Sequence, residues 1–280
     1  MKTGAYHRLA INEVEHWYYR ARAQAIETLI RRFVLPSHDH PEILDVGCGT
    51  GGTSARLAQF GNLTGIEPSP VAIELLRARY PSLDILPGTI EDLPSLVPAD
   101  RFDLVTVLGV LYHRRVNDPN VALKNIAATL HDDGWILWSD CVYPCLARSH
   151  DDIVESGRRF HPQQMHRMLR AAGFNIVFSS HFLGWGFPFA WGMAAVHRFA
   201  KAIGLSRSAD QRESVDDRSP PALLNDVLRR LTFWEWRAGL WGLKVPLGVS
   251  RLILARKIPD IPESVRIKDR SMRTQMAGMR

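Results

Sequence analysis

The segment Ile43-Leu-Asp-Val-Gly-Cys-Gly-Thr-Gly-Gly52 constrains this chain more than any other. Glu42 to Val46 (EILDV) reads as a short buried strand that runs into Gly47, Gly49 and Gly51. Glycines let the backbone turn sharply and let a ligand approach main-chain N–H groups with no Cβ in the way. A helix predicted over Gly51 to Phe60 completes a strand–loop–helix unit. On open α/β sheets such loops lie beyond the carboxyl ends of the strands, where ligands bind. A tight structural turn is the other reading of the glycines taken alone. The second strand ends on Glu67, roughly twenty residues on, where a carboxylate can accept hydrogen bonds from both hydroxyls of a ribose. A charge at a helix N-terminus is the alternative for that residue.

Strand and helix alternate from there. Leu63 to Glu67 (LTGIE) is the second predicted strand and Pro70 to Tyr80 the helix after it. Leu83 to Leu86 is the third strand, Phe102 to Leu108 (FDLVTVL) the fourth, and Val121 to Leu130 a helix. After a turn at Asp133-Gly134, Trp135 to Asp140 (WILWSD) is the fifth strand. Pro162 suits the first turn of a helix that Gly173 ends, and Phe174 to Ser180 is the sixth strand. Upstream, Asn12 is a candidate N-cap, with Glu15 three residues on, for a helix to Phe33. Trp17, Ala21, Ala25, Leu29 and Phe33 share one face of it. Such units imply an α/β fold, a doubly wound and mostly parallel sheet with helices on both faces.

Past Ser180 the pattern changes. Phe182 to Val245 reads as two helical pieces, rich in Trp, Phe and Gly, joined by a flexible polar break at Ser206 to Pro221. Val249 to Lys257 is strand-like and is expected to pair antiparallel beside the sixth strand. The expected organisation is a core over 1–180, a helical C-terminal insertion over 181–247, a last strand within 248–260 and a flexible basic tail over 261–280.

Composition narrows the function classes. With 46% hydrophobic and 23% charged residues, the 280-residue chain is neither collagen-like, mostly disordered nor built on disulfides. Cys48, Cys141 and Cys145 are too few and too irregular for a disulfide framework or a four-ligand zinc site. No metal is expected, and the compartment reads as reducing and cytoplasmic. The N-terminus has no apolar h-region, so no signal peptide is expected. Ala171 to His197 lacks Lys, Arg, Asp and Glu, but Gly184, Gly186, Pro188 and Gly192 break it, which argues against a spanning helix. The net charge of +6 is dispersed in pairs such as Arg31-Arg32 and Arg229-Arg230, with no contiguous stripe for nucleic acid.

With these residues in view, the chain resembles the class I S-adenosylmethionine-dependent methyltransferases over residues 12 to 180. ILDVGCGTG is similar to their first motif, GIEPS to their second, and Gly88-Thr-Ile-Glu-Asp-Leu-Pro94 to their adenine-contacting loop. The resemblance implies a Rossmann-like sheet that binds S-adenosylmethionine and releases S-adenosylhomocysteine. It places the cofactor against Asp45, Gly47, Cys48, Gly49, Glu67, Pro68 and Leu108. Thr89 stands where the family often has Asp, which moves the expected adenine contacts to Ile90, Glu91 or Asp92. Tyr18, Tyr19 and Arg22 of the N-terminal helix are expected at the methionyl end, the arginine facing its carboxylate.

The sulfonium is already an activated methyl donor, so the protein must align a nucleophile and exclude water. A base helps where a hydroxyl must lose its proton. Leu108-Gly-Val-Leu-Tyr-His-Arg-Arg115 follows the fourth strand, making His113 a candidate base and Tyr112 a candidate positioning group. The other reading of His113 is packing or capping. GVLYHRR is also similar to the tRNA wobble-uridine carboxymethyltransferases, so a tRNA-modifying enzyme is the rival. Ser149 to Phe160 resembles a bacterial subgroup tied to glycan, lipid and secondary-metabolite pathways. There His150 with Asp151 is a second candidate base and orienting carboxylate, and Arg158 and Arg159 a candidate anion clamp. A loop tied down by salt bridges is the competing reading. Tyr143 and Trp185 complete the candidate substrate contacts.

The aromatic insertion reads either as helical packing or as an apolar face for a greasy substrate or an anionic membrane. The expected activity is methyl transfer, O-methylation first, to a small-molecule, lipid-linked or glycan acceptor, with peripheral contact at the inner membrane face. A non-catalytic cofactor-binding scaffold is the non-enzyme alternative.

Overall fold

The computed structural model describes residues 3–203, 219–243 and 245–259. The polar break is described only from Ser219 onward, and the tail over 261–280 lies outside the described residues. Seven strands form one sheet in the order β3-β2-β1-β4-β5-β7-β6. They are β1 (Glu42–Val46), β2 (Asn62–Glu67), β3 (Asp84–Pro87), β4 (Phe102–Leu108), β5 (Leu130–Cys141), β6 (Phe174–Phe182) and β7 (Ser250–Lys257). Strands β1 to β5 pair in parallel, and β7 lies antiparallel between β5 and β6. The fold is a Rossmann-like α/β sheet, mostly parallel, with an antiparallel last strand. Strand order reverses between β1 and β4, and a crevice opens at the carboxyl ends of strands flanking such a reversal.

The strands are apolar on both faces because helices cover both. On one face, Leu44, Val105, Val107, Ile136 and Trp138 pack with Leu123, Ile126, Met165 and Leu169 from α6 (Pro119–Thr129) and α8 (Pro162–Ala171). On the other, Ile43, Leu104, Leu137, Leu252 and Leu254 pack with Ala25, Ile26 and Leu29 of α2 (Trp17–Leu29). The helices α3 (Ser54–Leu57), α4 (Pro70–Arg79), α5 (Leu93–Leu96) and α7 (Ser149–Ile153) complete the core.

The N-terminal helix departs from expectation. It begins at Thr3, so Asn12 lies inside α1 (Thr3–Glu15) and does not cap it. The break falls at His16, whose extended backbone starts α2 and whose ring Nδ1 accepts from Tyr18 N–H at 3.2 Å. Asn225 of α10 (Ala222–Leu240) staples this break, accepting from Trp17 N–H (2.8 Å) and donating to the Glu15 carbonyl (2.7 Å). The predicted helix also ends early, opening into a π-type turn over Ile30–Val34.

The aromatic segment is part buried and part exposed. Trp236 is fully buried against Phe178 and Phe233, and Trp185 packs on Trp17. On α9 (Phe187–Ala202) and the residue after it, Phe189, Val196, Phe199 and Ile203 are exposed at helical spacing. On α10 and just beyond, Leu223, Val227, Leu231, Trp234 and Trp241 form a second exposed stripe. Among the described residues no helix is long and apolar enough to cross a membrane.

Candidate active site

A cavity of about 250 Å³ lies at the carboxyl ends of β1 to β4, roofed by α1 and α7. Its floor is the glycine loop. Gly47, Gly49 and Gly51 all have positive φ (71°, 58° and 83°), a conformation that strains other residues. Gly47 and Cys48 N–H both donate to the Ile66 carbonyl, tying the loop to β2. A Cβ on Gly47 would fall 2.5 Å from Val110 Cγ2. A Cβ on Gly49 would meet nothing nearer than Leu9 Cδ2 at 3.5 Å, in the open space of the cavity.

Three buried carboxyls hold this floor. Asp45 accepts from Ser54 Oγ (2.6 Å) and Thr106 Oγ1 (2.7 Å), locking β1 to α3 and β4. Glu67 accepts from Gly49 N–H (2.9 Å) on one oxygen and from Ser69 N–H (3.0 Å) on the other. Each carboxylate oxygen keeps a second lone pair, so both remain able to accept a ribose hydroxyl. Glu13 of α1 accepts from Thr50 Oγ1 (2.5 Å) and Gly52 N–H (3.0 Å), seating the helix directly on the loop. Burial pushes the pKa of all three upward, and these hydrogen bonds oppose it. Burial also raises the Cys48 thiol, which makes it a small packing group and not a nucleophile.

Most of the residues named from sequence converge here. Asp45, Gly47, Cys48, Gly49, Glu67, Pro68, Ile90, Glu91, Leu108, Arg22, Tyr112, His113 and His150 all line the cavity. The Arg22 guanidinium sits 5.8 and 5.2 Å from the ring centroids of Tyr18 and Tyr19. His113 and Tyr112 stack at 5.4 Å. The His113 Nδ1 is buried without a hydrogen-bond partner, and burial drives its pKa down to about 4. Burial likewise holds the Tyr112 phenol well above its ordinary value. Both rings are therefore neutral at neutral pH.

Six named residues are placed elsewhere. Asp92 turns to its own loop, where Oδ2 accepts from Thr89 N–H (2.9 Å) and Oγ1 (2.7 Å). Tyr18 points under the sheet to Phe182 and Ser250, one helical step away from Tyr19, which does line the cavity. Arg158 donates to the Val116 carbonyl at 2.8 Å. Arg159 forms a buried bidentate pair with Asp151 (2.7 and 2.9 Å), so Asp151 orients an arginine. That pair anchors the 155–160 segment, whose Gly157 and Arg158 N–H groups brace the Tyr112 carbonyl. Tyr143 bonds to His181 at 2.9 Å outside the cavity, and Trp185 Nε1 donates to Thr232 at 3.0 Å.

Two groups were not foreseen. Tyr6, Leu9 and Glu13, spaced i, i+3, i+7 on α1, form one wall of the cavity. That spacing was the available signal, hidden by starting the helix at Asn12. Asp140, at the end of β5, is buried and accepts from Trp138 Nε1 at 2.7 Å. Burial raises its pKa to about 8, against the hydrogen bonds it accepts from Trp138 and from the backbone of Val110 and Tyr112.

A bare loop of main chain at a topological switch point, with a buried acid ending the next strand, fits an adenosyl group. The open space at Gly49 meets the same requirement. Comparison with known proteins agrees. A family model described as a methyltransferase domain matches residues 16–178. Among curated proteins, the tRNA U34 carboxymethyltransferase of Shewanella denitrificans is 38% identical over 107 residues, 35% of this chain and 29% of that protein. The Shewanella baltica protein of the same name is 42% identical over 81 residues, 26% and 24% of the two chains. The match thus spans less than a third of these relatives' length. Among solved structures, the [4+2]-cyclase SpnF superposes with TM-score 0.54 at 21% identity, covering 88% of this chain and 87% of that one. An S-adenosylmethionine-dependent methyltransferase from Mesorhizobium loti gives TM-score 0.54 at 16% identity, covering 85% and 98%. The domain match takes in more than half of the sequence and falls on this sheet and this loop: the chain belongs to the class I S-adenosylmethionine-dependent methyltransferase family.

Proposed function

We propose that the protein methylates a hydroxyl on a small-molecule, lipid-linked or glycan acceptor that carries an apolar portion. When bound, S-adenosylmethionine supplies a methyl group on a positively charged sulfur leaving group. Glu67 would hold its ribose and the bare main chain of the glycine loop would let the nucleoside approach closely, with Arg22 toward its carboxylate. The observation that carries the acceptor reading is the neutral His113 ring, which lines the cavity beside Tyr112. A hydroxyl oxygen under alkylation becomes a strong acid, so a neutral imidazole of pKa about 4 is base enough to take its proton. Tyr112, Ile153 and Val154 help to keep water out.

His113→Ala and His150→Ala are each expected to slow transfer by about 100-fold, with cofactor affinity nearly unchanged. Normal rates in both would remove the base assignment. The acceptor class is tested with isotope-labelled S-adenosylmethionine and fractionated small molecules, lipids and RNA. Label in the lipid or small-molecule fraction is expected, and label in RNA alone would overturn it. The RNA reading has one specific support, the 38% and 42% identity to tRNA U34 carboxymethyltransferases over a limited segment.

An acceptor at a membrane surface is favoured by the exposed stripes on α9 and α10. Arg198, Lys201 and Arg230 are exposed among these apolar side chains. The two acids of α10 are engaged, Asp226 with Arg229 and Arg230, and Glu235 with the N–H groups of Gly184 and Trp185. Interfacial helices combine apolar, aromatic and basic groups in this way. The protein is expected to float with phosphatidylglycerol vesicles and less with phosphatidylcholine, and Trp234→Ser with Trp241→Ser should release it. Equal recovery in the absence of lipid would contradict the reading.

A further inference from the structure

The helix α1 roofs the cavity, yet among the described residues none of its side chains joins the apolar clusters of the sheet. Its placement therefore depends on what holds its two sides. On the inner side, Glu13 accepts from Thr50 and Gly52, and a Cβ on Gly52 would fall 2.6 Å from Glu13 Cβ, so the helix lies directly on the glycine loop. At its end the chain passes into α2, which Ala21, Ala25, Ile26 and Leu29 fix in the core. The extended backbone of His16 sets the bend between them.

Helical bonds flank this bend. His16 N–H donates to the Asn12 carbonyl at 3.0 Å, and Arg20 N–H to the His16 carbonyl at 3.1 Å. In an unbroken helix Trp17 N–H would donate to the Glu13 carbonyl, and the Glu15 carbonyl would accept from Tyr19 N–H. Here the Asn225 carboxamide accepts from Trp17 N–H (2.8 Å) and donates to the Glu15 carbonyl (2.7 Å). A carboxamide carries an acceptor and a donor on one planar carbon, which suits these two groups at once. Asn225 is buried, and among the described residues none from α10 lines the cavity, so its reach to the cofactor runs through the bend. Without the carboxamide, closing the break into a continuous helix would give Trp17 N–H its partner back. Straightening would lift Tyr6, Leu9 and Glu13 off the glycine loop.

We propose that Asn225 is a positioning residue for S-adenosylmethionine: it holds the bend at His16 and so keeps α1 closed over the cofactor. The proposal rests on this cavity being the cofactor site and not on the acceptor reading.

The test is calorimetric titration of the intact protein with S-adenosylhomocysteine, joined to stopped-flow dissociation and hydrogen exchange of the α1 amides. Asn225→Ala is expected to weaken binding about tenfold, chiefly through faster dissociation, and to speed exchange in α1. Trp236→Phe, a change buried elsewhere on α10, should lower the melting temperature and leave affinity unchanged. Proline at the first position of a helix forbids the straight continuation across it. Trp17→Pro should therefore restore affinity to Asn225→Ala, where Trp17→Ala does not. Asn225→Asp, which keeps the acceptor and loses the donor when ionised, replaces the alanine variant if that one does not fold. Wild-type affinity in Asn225→Ala, an equal loss in Trp236→Phe, or no gain from proline over alanine at position 17 would overturn the role. No binding by the wild type would remove the cavity assignment, and the proposal with it.

Discussion

Gly49→Val is expected to abolish binding of S-adenosylmethionine and S-adenosylhomocysteine in a protein that still folds. Gly49 has φ 58°, where a β-branched residue costs about 1–3 kcal/mol. Its N–H is also the donor that Glu67 receives at 2.9 Å, so a shift in the loop moves the acid as well. A valine side chain would project into the cavity, because only Leu9 stands near the Cβ position. A loss of about 100-fold or more in affinity follows, roughly 3 kcal/mol. Far-UV circular dichroism should be retained, with melting lowered by several degrees. Wild-type affinity in this variant would mean that the glycine loop is not the cofactor floor.

Glu67→Ala acts on the same site from the other side. The carboxylate is buried and accepts from both Gly49 and Ser69, so its removal strands two backbone donors and takes away the ribose acceptor. Hydrogen bonds to a charged group are worth about 1.5–3 kcal/mol each, so affinity should fall roughly 10- to 150-fold. Glu67→Gln should fall between the two, since its carbonyl still accepts from one of the two N–H groups. The check is a titration of each variant with S-adenosylhomocysteine. An unchanged dissociation constant for Glu67→Ala would leave Glu67 as a loop brace only.

The parts of the molecule legible in the sequence are those fixed by local pattern. The strand at Phe102–Leu108 was readable to the residue because it is mostly apolar, broken only by Asp103 and Thr106, and buried between two helical layers. The glycine loop and Glu67 were readable because backbone approach and a strand-end carboxylate leave a fixed spacing. Direction was not legible. Tyr18 and Tyr19 are neighbours, and a helical step of 100° decides that one enters the cavity and the other the core. Arg158 and Arg159 read equally as an anion clamp or as a loop tied down by salt bridges, and their partners are the Val116 carbonyl and Asp151. Charge pairs of this sort carry no mark of whether they face a ligand or a loop. The wall formed by Tyr6, Leu9 and Glu13 was obscured for a different reason. The true helix break, at His16, depends on Asn225, more than 200 residues away in sequence.

The most direct measurement is isothermal titration of the intact protein with S-adenosylhomocysteine, wild type beside Gly49→Val. One saturable site in the wild type, absent from the variant, is the expected result. No heat and no thermal stabilisation of the folded wild-type chain would contradict the assignment of this cavity to the adenosyl group, and with it the methyl-transfer function.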